Sequence, residues 1–398
     1  MEGQQEVPRH FSNPSVRDAQ ATPVPYNELI ACLERIIDFN PPSSSTTWTF
    51  EGLYRGPTSI AFLFHRLSTL YPGLILKSQL LAHWALYYLR LSDPRHGGHS
   101  YTAPTANNCG IRNETLAHLT AKALIQWDHR AIYQLCSHEP NINDEDKDGC
   151  NQWMNGRAGY LYLLRASDYV VERTGDFEGN ASSRRLLHST MEKTIHRMLE
   201  VPQPWNWQAG QQLGAAYGTI GSICQIVLST EAVTVEMQDQ LRRILAAQLA
   251  SGNFPASLPA PAGSFDRRET LVQFCHGAPG FVVSLRSLRP HVPTSMREQI
   301  DAAIARTQAH VWARGLLTKM PCLCHGIAGN ALALDRPADF VHFQSFMSTA
   351  GLVRSGRLME LKRGVDNSSL YTGEAGRAWV WVVADLGLEK TVLGYNDV

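Results

Sequence analysis

The stretch "LVQFCHGAPGF" (residues 271–281) places a cysteine and a histidine directly before a Gly-x-x-Gly turn. The stretch "PCLCHGIAGN" (residues 321–330) repeats this arrangement, with Cys324 beside His325. Cysteine and histidine are both metal-binding side chains, and finding them side by side twice before the same turn indicates a repeated unit. Further copies of the turn are therefore expected elsewhere in the chain.

Seven turns of this kind recur along the chain, at intervals of 46 to 62 residues. Each interval leaves room for two helices and two connections, so the recurrence indicates a repeat array. In the first two copies Ser59 and Asn113 stand at the second glycine position, so these two turns are degenerate. The leading glycines are Gly56, Gly110, Gly156, Gly218, Gly277, Gly326 and Gly373.

Two kinds of helical segment alternate between the turns. Each turn leads into a stretch of small and apolar residues, which is typical of a helix packed on both sides. Amphipathic stretches such as residues 182–200 and 233–250 lie between them, and the second shows i, i+3, i+4 spacing of its apolar residues. This alternation predicts an all-α chain folded as an α/α toroid of inner and outer helices. An open solenoid is the alternative, and the absence of an obvious polar cap favours the closed ring.

The chain divides into an N-terminal polar segment with a first helix (residues 1–45) and a toroid of seven repeats (residues 46–398). The acidic run at residues 141–150 is interpreted as a solvated loop between repeats. His96 and His99 have a spacing that would suit a metal, but nothing nearby supplies further ligands. A polar loop is therefore the better interpretation of these two histidines.

The composition narrows the class of protein. The 398 residues include 36 Lys+Arg and 36 Asp+Glu, so no overall field favours nucleic acid or an anionic membrane. No run of about eighteen apolar residues indicates a transmembrane segment. The N-terminal residues lack the basic and apolar regions of a signal peptide. The eight cysteines are therefore expected to be thiols or metal ligands in the cytosol rather than a disulfide framework.

Four motifs make the sequence resemble the LanC-like family, the eukaryotic relatives of bacterial lanthionine synthetase cyclases: "QFCHGAPG" (273–280), "LCHGIAGN" (323–330), "NGRAGYLYLL" (155–164) and "RHFSNP" (9–14). The resemblance extends over nearly the whole chain and implies an α/α toroid of seven inner and seven outer helices. The bacterial members add cysteine thiols to dehydrated serine or threonine with a central zinc. The eukaryotic members resemble glutathione-binding proteins that join glutathione to dehydroamino acid residues in damaged proteins.

The resemblance implies one Zn²⁺ per chain, held by Cys275, Cys324 and His325. Such a three-ligand set leaves the open position that catalytic zinc sites keep for water or substrate. Cys322 is excluded because it stands outside the repeated Cys-His-Gly position. The residues alone leave two alternatives open, a pair of buried thiols and a redox pair, although a CxxC motif is absent.

The sequence departs from the bacterial cyclases at the residues expected to move protons. Tyr217 stands in the fourth turn where the cyclases have a histidine, and Asn151 and Gln152 stand where an acid is expected before the third turn. A thiol addition needs a proton donor for the enolate carbon. Tyr217 and His276 are the candidate donors. His276 is equally well explained as a residue that supports a ligand or caps the turn.

Three basic residues correspond to the family's glutathione site, namely Arg9, Lys319 and Arg363. Glutathione carries two carboxylates, which Arg binds in a bidentate manner and Lys binds as a point charge. Lys362 is the alternative to Arg363, because a shift of one residue would exchange them.

The leading functional hypothesis is a zinc-dependent protein that binds glutathione or another small thiol and adds it to a peptide or protein containing a dehydroamino acid. A catalytically silent protein that binds zinc, glutathione or a signalling partner is the second hypothesis. A dedicated peptide or natural-product cyclase is the third, and Tyr217 disfavours cyclisation of the bacterial type.

Overall fold

A computed structural model of the chain describes residues 9–13, 22–43, 47–97, 100, 102–144, 149–173, 178–201, 205, 211–258, 271–361 and 365–398. The α-helices of this part are α1 (Pro25–Phe39), α2 (Pro57–Leu70), α3 (Leu81–Leu91), α4 (Pro94–Gly97), α5 (Glu114–Gln126), α6 (His129–Ser137), α7 (Glu139–Ile142), α8 (Arg157–Arg173), α9 (Glu178–Glu200), α10 (Thr219–Thr230), α11 (Val235–Ala246), α12 (Ala278–Leu288), α13 (Thr294–Arg314), α14 (Ile327–Ala331), α15 (Pro337–Met347), α16 (Thr349–Arg354), α17 (Leu358–Leu361) and α18 (Glu374–Leu386). Within these ranges no helix has both the length and the apolar character needed to cross a bilayer.

The extended structure in the described residues is short and lies outside the helical layers. Strand β1 (Ile75–Leu76) pairs with β2 (Gln79–Leu80), and β3 (Gln211–Gln212) pairs with β4 (Ser257–Leu258), both in the antiparallel sense. Two short 3₁₀ helices cover Arg289–His291 and Val365–Ser368. The chain is therefore all-α in its architecture, as the alternating pattern predicts.

The helices form two concentric layers. The inner helices are α2, α5, α8, α10, α12, α14 and α18, and the outer ones are α3, α6, α9, α11, α13, α15 and α1. Inner helices contact their neighbours from α2 to α12, α14 contacts α18, and α18 contacts α2. A backbone hydrogen bond from Cys275 N–H to the Cys324 carbonyl (3.2 Å) joins the turns before α12 and α14. The ring is thus closed, which confirms the predicted toroid and excludes the open solenoid.

The first helix belongs to the outer layer, although it precedes every turn in the sequence. Helix α1 packs against α18, the last inner helix. Arg35 on α1 donates to Glu374 on α18 at 2.9 Å, and Glu374 also accepts a hydrogen bond from the buried Arg377 at 2.6 Å. The N-terminal part of the chain therefore completes the seventh helix pair. The boundary at residue 45 stays a prediction.

The inner helices begin where the turns predict. Six of the seven start at the residue directly after a leading glycine, and α5 is the exception. In that degenerate turn the helix starts three residues later, because the Asn113 side chain accepts the Leu116 N–H at 3.1 Å and caps the helix. A side-chain cap there takes the role that glycine has in the other turns.

The leading glycines are required by close backbone contacts more than by unusual dihedral angles. A Cβ at Gly326 would lie 2.1 Å from the Met320 carbonyl oxygen, although its φ of −127° is open to any residue. A Cβ at Gly277 would lie 1.9 Å from the Leu271 oxygen, and there φ is also positive at +98°. At both glycines the turn folds so tightly over its own backbone that no side chain fits.

Backbone hydrogen bonds join neighbouring turns around the ring, and we call this set of contacts the turn belt. Four of these bonds join residues that stand two places before the leading glycines, and the bond from Leu53 to Ile111 is the exception. Side chains next to the leading glycines therefore gather on one face of the toroid, the mouth. The bonds run from Leu53 N–H to Ile111 O (2.9 Å), Met154 N–H to Ala216 O (3.0 Å), Cys275 N–H to Cys324 O (3.2 Å), Cys324 N–H to Tyr371 O (3.0 Å) and Tyr371 N–H to Tyr54 O (3.2 Å).

Four aromatic side chains fill the lumen inside the turn belt, and we call them the aromatic plug. Trp153, Phe274, Tyr371 and Tyr395 are all buried, with ring centroids 5.1–6.2 Å apart. Tyr395 comes from the segment after α18 and shares a 2.6 Å hydrogen bond with Ser284 on α12. The mouth therefore has a solid floor of aromatic rings.

Candidate thiol site

Two cysteines meet at the mouth of the toroid. Cys275 and Cys324 occupy equivalent places in neighbouring turns, and only 5% and 3% of their surfaces are exposed. A hydrogen bond between their side chains lowers the pKa of the Cys275 thiol and raises that of Cys324 well above its usual value. Within the pair, Cys275 therefore loses its proton more readily than Cys324. We call these two residues the thiol pair.

Polar groups around Cys275 favour the thiolate form of its side chain. Gln273 donates from its side-chain amide to the Cys275 sulfur at 3.0 Å. Lys319 in turn donates to the Gln273 carbonyl oxygen at 3.3 Å, which orients the amide toward the sulfur. After the bond from Cys324, these two groups further lower the pKa of Cys275, because both favour a thiolate over a thiol.

A tyrosine faces the other sulfur. The Tyr54 hydroxyl lies 3.7 Å from the Cys324 sulfur and donates to it. The Tyr54 ring stacks on Tyr371 of the aromatic plug, with centroids 5.9 Å apart and planes inclined by 16°. Burial raises the pKa of Tyr54, and the neighbouring Cys324 raises it further, so the side chain is a neutral phenol.

The remaining predicted metal ligand lies beside the thiol pair in sequence but is not gathered with it. Burial, then the charges of Lys319 and Arg55, lower the pKa of His325, so its imidazole is neutral, the form that binds metals. In the described part of the chain, no group of three or more His, Cys, Asp or Glu side chains has a metal-binding arrangement. The two thiols in contact and the neutral imidazole fit zinc by donor type.

The excluded cysteine is also near the site. Cys322 is fully buried, and burial raises the pKa of its thiol to about 11. It therefore stays a neutral thiol at physiological pH. Its protonated state agrees with a packing role.

The two candidate proton donors lie face to face. The rings of Tyr217 and His276 stack with centroids 5.2 Å apart and planes inclined by 11°. Burial, then the sulfurs of Cys324 and Cys275, raise the pKa of Tyr217 to about 12. Burial lowers the pKa of His276, and its Nδ1 atom has no hydrogen-bond partner among the described residues. The mouth thus presents a neutral phenol and a neutral imidazole close to the thiol pair.

The predicted cations are placed unequally. Lys319 reaches the thiol pair through Gln273, as described above. Arg9 has an exposed side chain, but its carbonyl accepts the Thr318 N–H at 3.1 Å, which places Arg9 beside the residue that precedes Lys319. Arg363 and its alternative Lys362 lie outside the described residues, as does His99.

The two residues that replace the expected acid have different surroundings. Asn151 accepts a hydrogen bond from the buried Arg157 at 3.2 Å, and its carbonyl accepts one from Ser222 at 2.7 Å. Gln152 is buried, and neither atom of its side-chain amide has a hydrogen-bond partner in the described structure. Asn151 therefore has a structural role, whereas Gln152 keeps an unused donor and acceptor.

Sequence reasoning missed Tyr54, Gln273 and the charged residues around Tyr54. A signal for Tyr54 exists, because it stands two residues before Gly56, the place that the thiol pair occupies before its own glycines. Arg55 stands in the next place, which His325 occupies in the sixth turn. Comparing the seven turns position by position, degenerate ones included, would have predicted both residues at the mouth.

Known proteins match the chain over different lengths. A family model described as lanthionine synthetase C-like protein matches residues 47–382. The chain is 31% identical over 190 residues to glutathione S-transferase LANCL1 of Danio rerio, which covers 46% of this chain and 45% of that protein. It is 36% identical over 195 residues to LanC-like protein GCL1 of Arabidopsis thaliana, covering 46% and 43%. These matches span less than half the length of the two relatives. Because the family model covers most of the chain and the fold is the closed α/α toroid, the protein belongs to the lanthionine synthetase C-like family.

Proposed function

We propose that the protein joins glutathione, or another small thiol, to dehydroamino acid residues of a peptide or protein acceptor. The observation that carries this proposal is the thiol pair at the mouth, with Lys319 on one side and the phenols of Tyr54 and Tyr217 on the other. A relative named glutathione S-transferase supports glutathione as the thiol. The site thus combines a place for sulfur, a cation and proton donors.

We also propose that one Zn²⁺ binds to Cys275, Cys324 and His325. Zinc bound there would keep the incoming thiol as a thiolate at neutral pH. Contact between the two cysteine sulfurs and the neutral state of the His325 imidazole support this assignment. Three protein ligands leave one position for the thiol of the ligand.

The cations near the thiol pair are proposed to hold the carboxylates of glutathione. Lys319 is the best placed of them, because one amide separates it from the Cys275 sulfur. Arg9 is brought to the same region by the pairing of residues 9–13 with the segment that ends at Lys319. Arg363 is proposed as the third cation on the family correspondence alone.

The reaction that fits these groups is a conjugate addition. The thiol gives its proton to water, its sulfur forms a bond to the β-carbon of the dehydroamino acid, and the electron pair of the C=C bond moves toward the carbonyl oxygen to give an enolate. Tyr217 then gives a proton to the α-carbon, and water returns a proton to the phenolate. Its pKa of about 12 keeps the phenol protonated until that step. The adduct contains all atoms of the thiol and the acceptor.

A second candidate function is binding without turnover. Tyr217 replaces the histidine of the cyclases, and Asn151 and Gln152 replace the acid, so the acid–base groups of the bacterial enzymes are missing. The thiol pair and Lys319 are retained despite both changes. A protein with these residues would still bind zinc and glutathione. We further propose the cytosol as its compartment, since all eight cysteines lie among the described residues as free thiols.

One experiment separates the two functions. The zinc-loaded protein is incubated with glutathione and a peptide that contains dehydroalanine, and the peptide mass is followed over time. Enzyme function predicts a peptide heavier by one glutathione, formed faster than without protein and not formed faster with Cys275→Ala. If the parent protein binds zinc and glutathione but the mass does not change, the binding function replaces the enzymatic one.

A further inference from the structure

The two degenerate turns carry a group of charged side chains that the proposed reaction does not use. Glu51 forms a hydrogen-bonded ion pair with Arg112 and lies 3.7 Å from Arg55. The guanidinium carbons of Arg55 and Arg112 lie 5.6 Å and 5.4 Å from the centre of the Tyr54 ring. We call Arg55 and Arg112 the arginine pair. One carboxylate and one aromatic ring thus hold two cations in fixed places.

The arginine pair belongs to the same mouth as the thiol pair. Tyr54, which both guanidinium groups flank, donates its hydroxyl hydrogen bond to Cys324. The charge of Arg55 contributes to the lowered pKa of His325, and the charges of Arg112 and Glu51 act on the pKa of Tyr217. Because such effects require proximity, Arg55 lies near His325 and Arg112 lies near Tyr217.

The charge balance of this group favours an anionic ligand. Two guanidinium groups share one carboxylate, so Glu51, Arg55 and Arg112 together carry one net positive charge. Their side chains are 24%, 30% and 34% exposed, so solvent and ligands can reach them. Guanidinium groups bind carboxylates through paired hydrogen bonds, which gives direction as well as attraction.

The position of the arginine pair identifies which reactant it meets. Lys319 approaches the thiol pair from the Cys275 side, through Gln273. The arginine pair flanks Tyr54, which donates to Cys324, and Arg112 lies near Tyr217. In the proposed reaction the α-carbon of the acceptor receives its proton from Tyr217, so the acceptor lies close to Arg112. We propose that the arginine pair binds a carboxylate side chain next to the dehydroamino acid residue, so that the protein prefers acidic peptides as acceptors. This inference rests on the proposed function.

A binding experiment tests the arginine pair without any reaction. The probe is a fluorescent acidic peptide in which alanine replaces the dehydroalanine, and its affinity is measured by anisotropy. The Arg55→Gln/Arg112→Gln protein should bind it roughly tenfold or more weakly, the usual effect of losing charged hydrogen bonds. In the parent the affinity should fall as salt is raised, and in the double variant this dependence should be much smaller. An unchanged affinity would overturn the proposal.

Three controls separate charge recognition from damage to the fold. Arg243→Gln removes the same charge from the exposed face of α11 and should bind the peptide like the parent. Arg55→Lys/Arg112→Lys keeps both charges but loses the paired hydrogen bonds, so it should keep the salt dependence and have an affinity between those of the parent and the Gln variant. A peptide with glutamine in place of its acidic residues should bind the parent and the Gln variant equally. If the Lys variant loses as much affinity as the Gln variant, a packing role replaces the binding role.

Glutathione affinity and adduct formation assign the ligand. Calorimetry without acceptor should give the same glutathione affinity for the parent and the Arg55→Gln/Arg112→Gln variant. A large loss there would assign the arginine pair to glutathione and contradict the proposal. With reactive peptides, the variant should lose kcat/KM for the acidic acceptor and not for the neutral one. If the parent forms no adduct with any peptide, the enzymatic function fails, and the anisotropy result still decides whether the arginine pair binds acidic peptides.

Discussion

The fifth and sixth turns differ from the first two in side chains but not in their place in the ring. Cys324 joins the turn belt through its N–H and the Tyr371 carbonyl, and Leu53 joins it through its N–H and the Ile111 carbonyl. The Cys-His turns use the places before the glycine for sulfur and imidazole. The first turn has Tyr54 and Arg55 at these places, and the second has Asn108 and Cys109. The backbone contacts of the belt therefore leave the chemistry at the mouth free to vary from turn to turn.

The two kinds of turn are also held together differently. The Cys-His turns keep both glycines, and a Cβ at Gly329 would lie 2.0 Å from the Leu323 oxygen. In the first turn Ser59 replaces the second glycine, and its hydroxyl donates to the Gly56 carbonyl at 2.7 Å. The buried Glu114 then accepts hydrogen bonds from Gly52 N–H at 2.6 Å and from the Thr58 hydroxyl. In the first turn, polar contacts thus take the place of the second glycine, whereas Gly56 keeps its tight backbone contact.

The largest expected effect is the loss of metal from the Cys-His turns. The parent protein should contain about one zinc per chain, and Cys275→Ala or Cys324→Ala should lose most of it, because a three-ligand site cannot lose a ligand and stay occupied. Elemental analysis of the purified proteins measures this. Cys322→Ala is the matched control and should keep its zinc. Stoichiometric zinc in the Cys275→Ala/Cys324→Ala protein would contradict the assignment.

The next effect concerns the hydroxyl group of Tyr217, which lies in the fourth turn. Tyr217→Phe keeps the ring that stacks on His276 and removes the hydroxyl. If Tyr217 is the proton donor, adduct formation should fall by about 10²–10⁴-fold, while zinc content and glutathione affinity stay unchanged. Tyr54→Phe is the comparison, since it removes a hydroxyl from the same mouth. Equal rates for Tyr217→Phe and the parent would exclude Tyr217 as the donor.

A smaller effect is expected at the cation beside the Cys-His turns. Lys319→Ala should weaken glutathione binding by about 1–3 kcal/mol, the range for a hydrogen bond to a charged group. Titration calorimetry gives the affinity. Lys193→Ala on the outer helix α9 removes the same charge at a distance and should not alter binding. An unaltered affinity in Lys319→Ala would place the carboxylates of glutathione elsewhere.

The smallest effect on function is expected from a pH dependence of the folding stability, which originates in the degenerate turns. Burial raises the pKa of Glu114 from 4.5 to about 7, so the folded protein holds this proton more tightly than the unfolded chain. The stabilisation is complete below the unfolded pKa and is lost as the pH rises through the folded one. From about pH 5 to about pH 8 the free energy of unfolding should fall by about 2–3 kcal/mol from this group. Thermal unfolding of Glu114→Gln should show a flatter pH profile, whereas Glu192→Gln on α9 should retain the slope of the parent.

The closed ring could be predicted from the sequence because steric contact requires its glycines. Gly277 and Gly326 cannot accept a Cβ, so the turns leave a visible repeat. The contact between Cys275 and Cys324 follows from the same repeat, since equivalent residues of neighbouring units come together in a ring. Zinc at these residues stays a prediction.

The rest of the site could not be predicted because its residues carry no such steric signal. Arg112 and Tyr54 lie in turns whose second glycine is lost, and their placement depends on hydrogen bonds between side chains. Tyr395 reaches the lumen from a segment outside the repeats, and no local pattern indicates that a tail residue packs against Trp153. Helix α5 starts late because the Asn113 side chain caps it. Aligning the turns by their glycines does not reveal this cap.

The aromatic plug packs Trp153, Phe274, Tyr371 and Tyr395 ring against ring inside the turn belt, and all four are buried. In the proposed reaction, both reactants would then approach the sulfur from the mouth. A peptide bound across the mouth would cover a small molecule bound beneath it. An ordered mechanism is therefore expected, in which the thiol binds before the peptide.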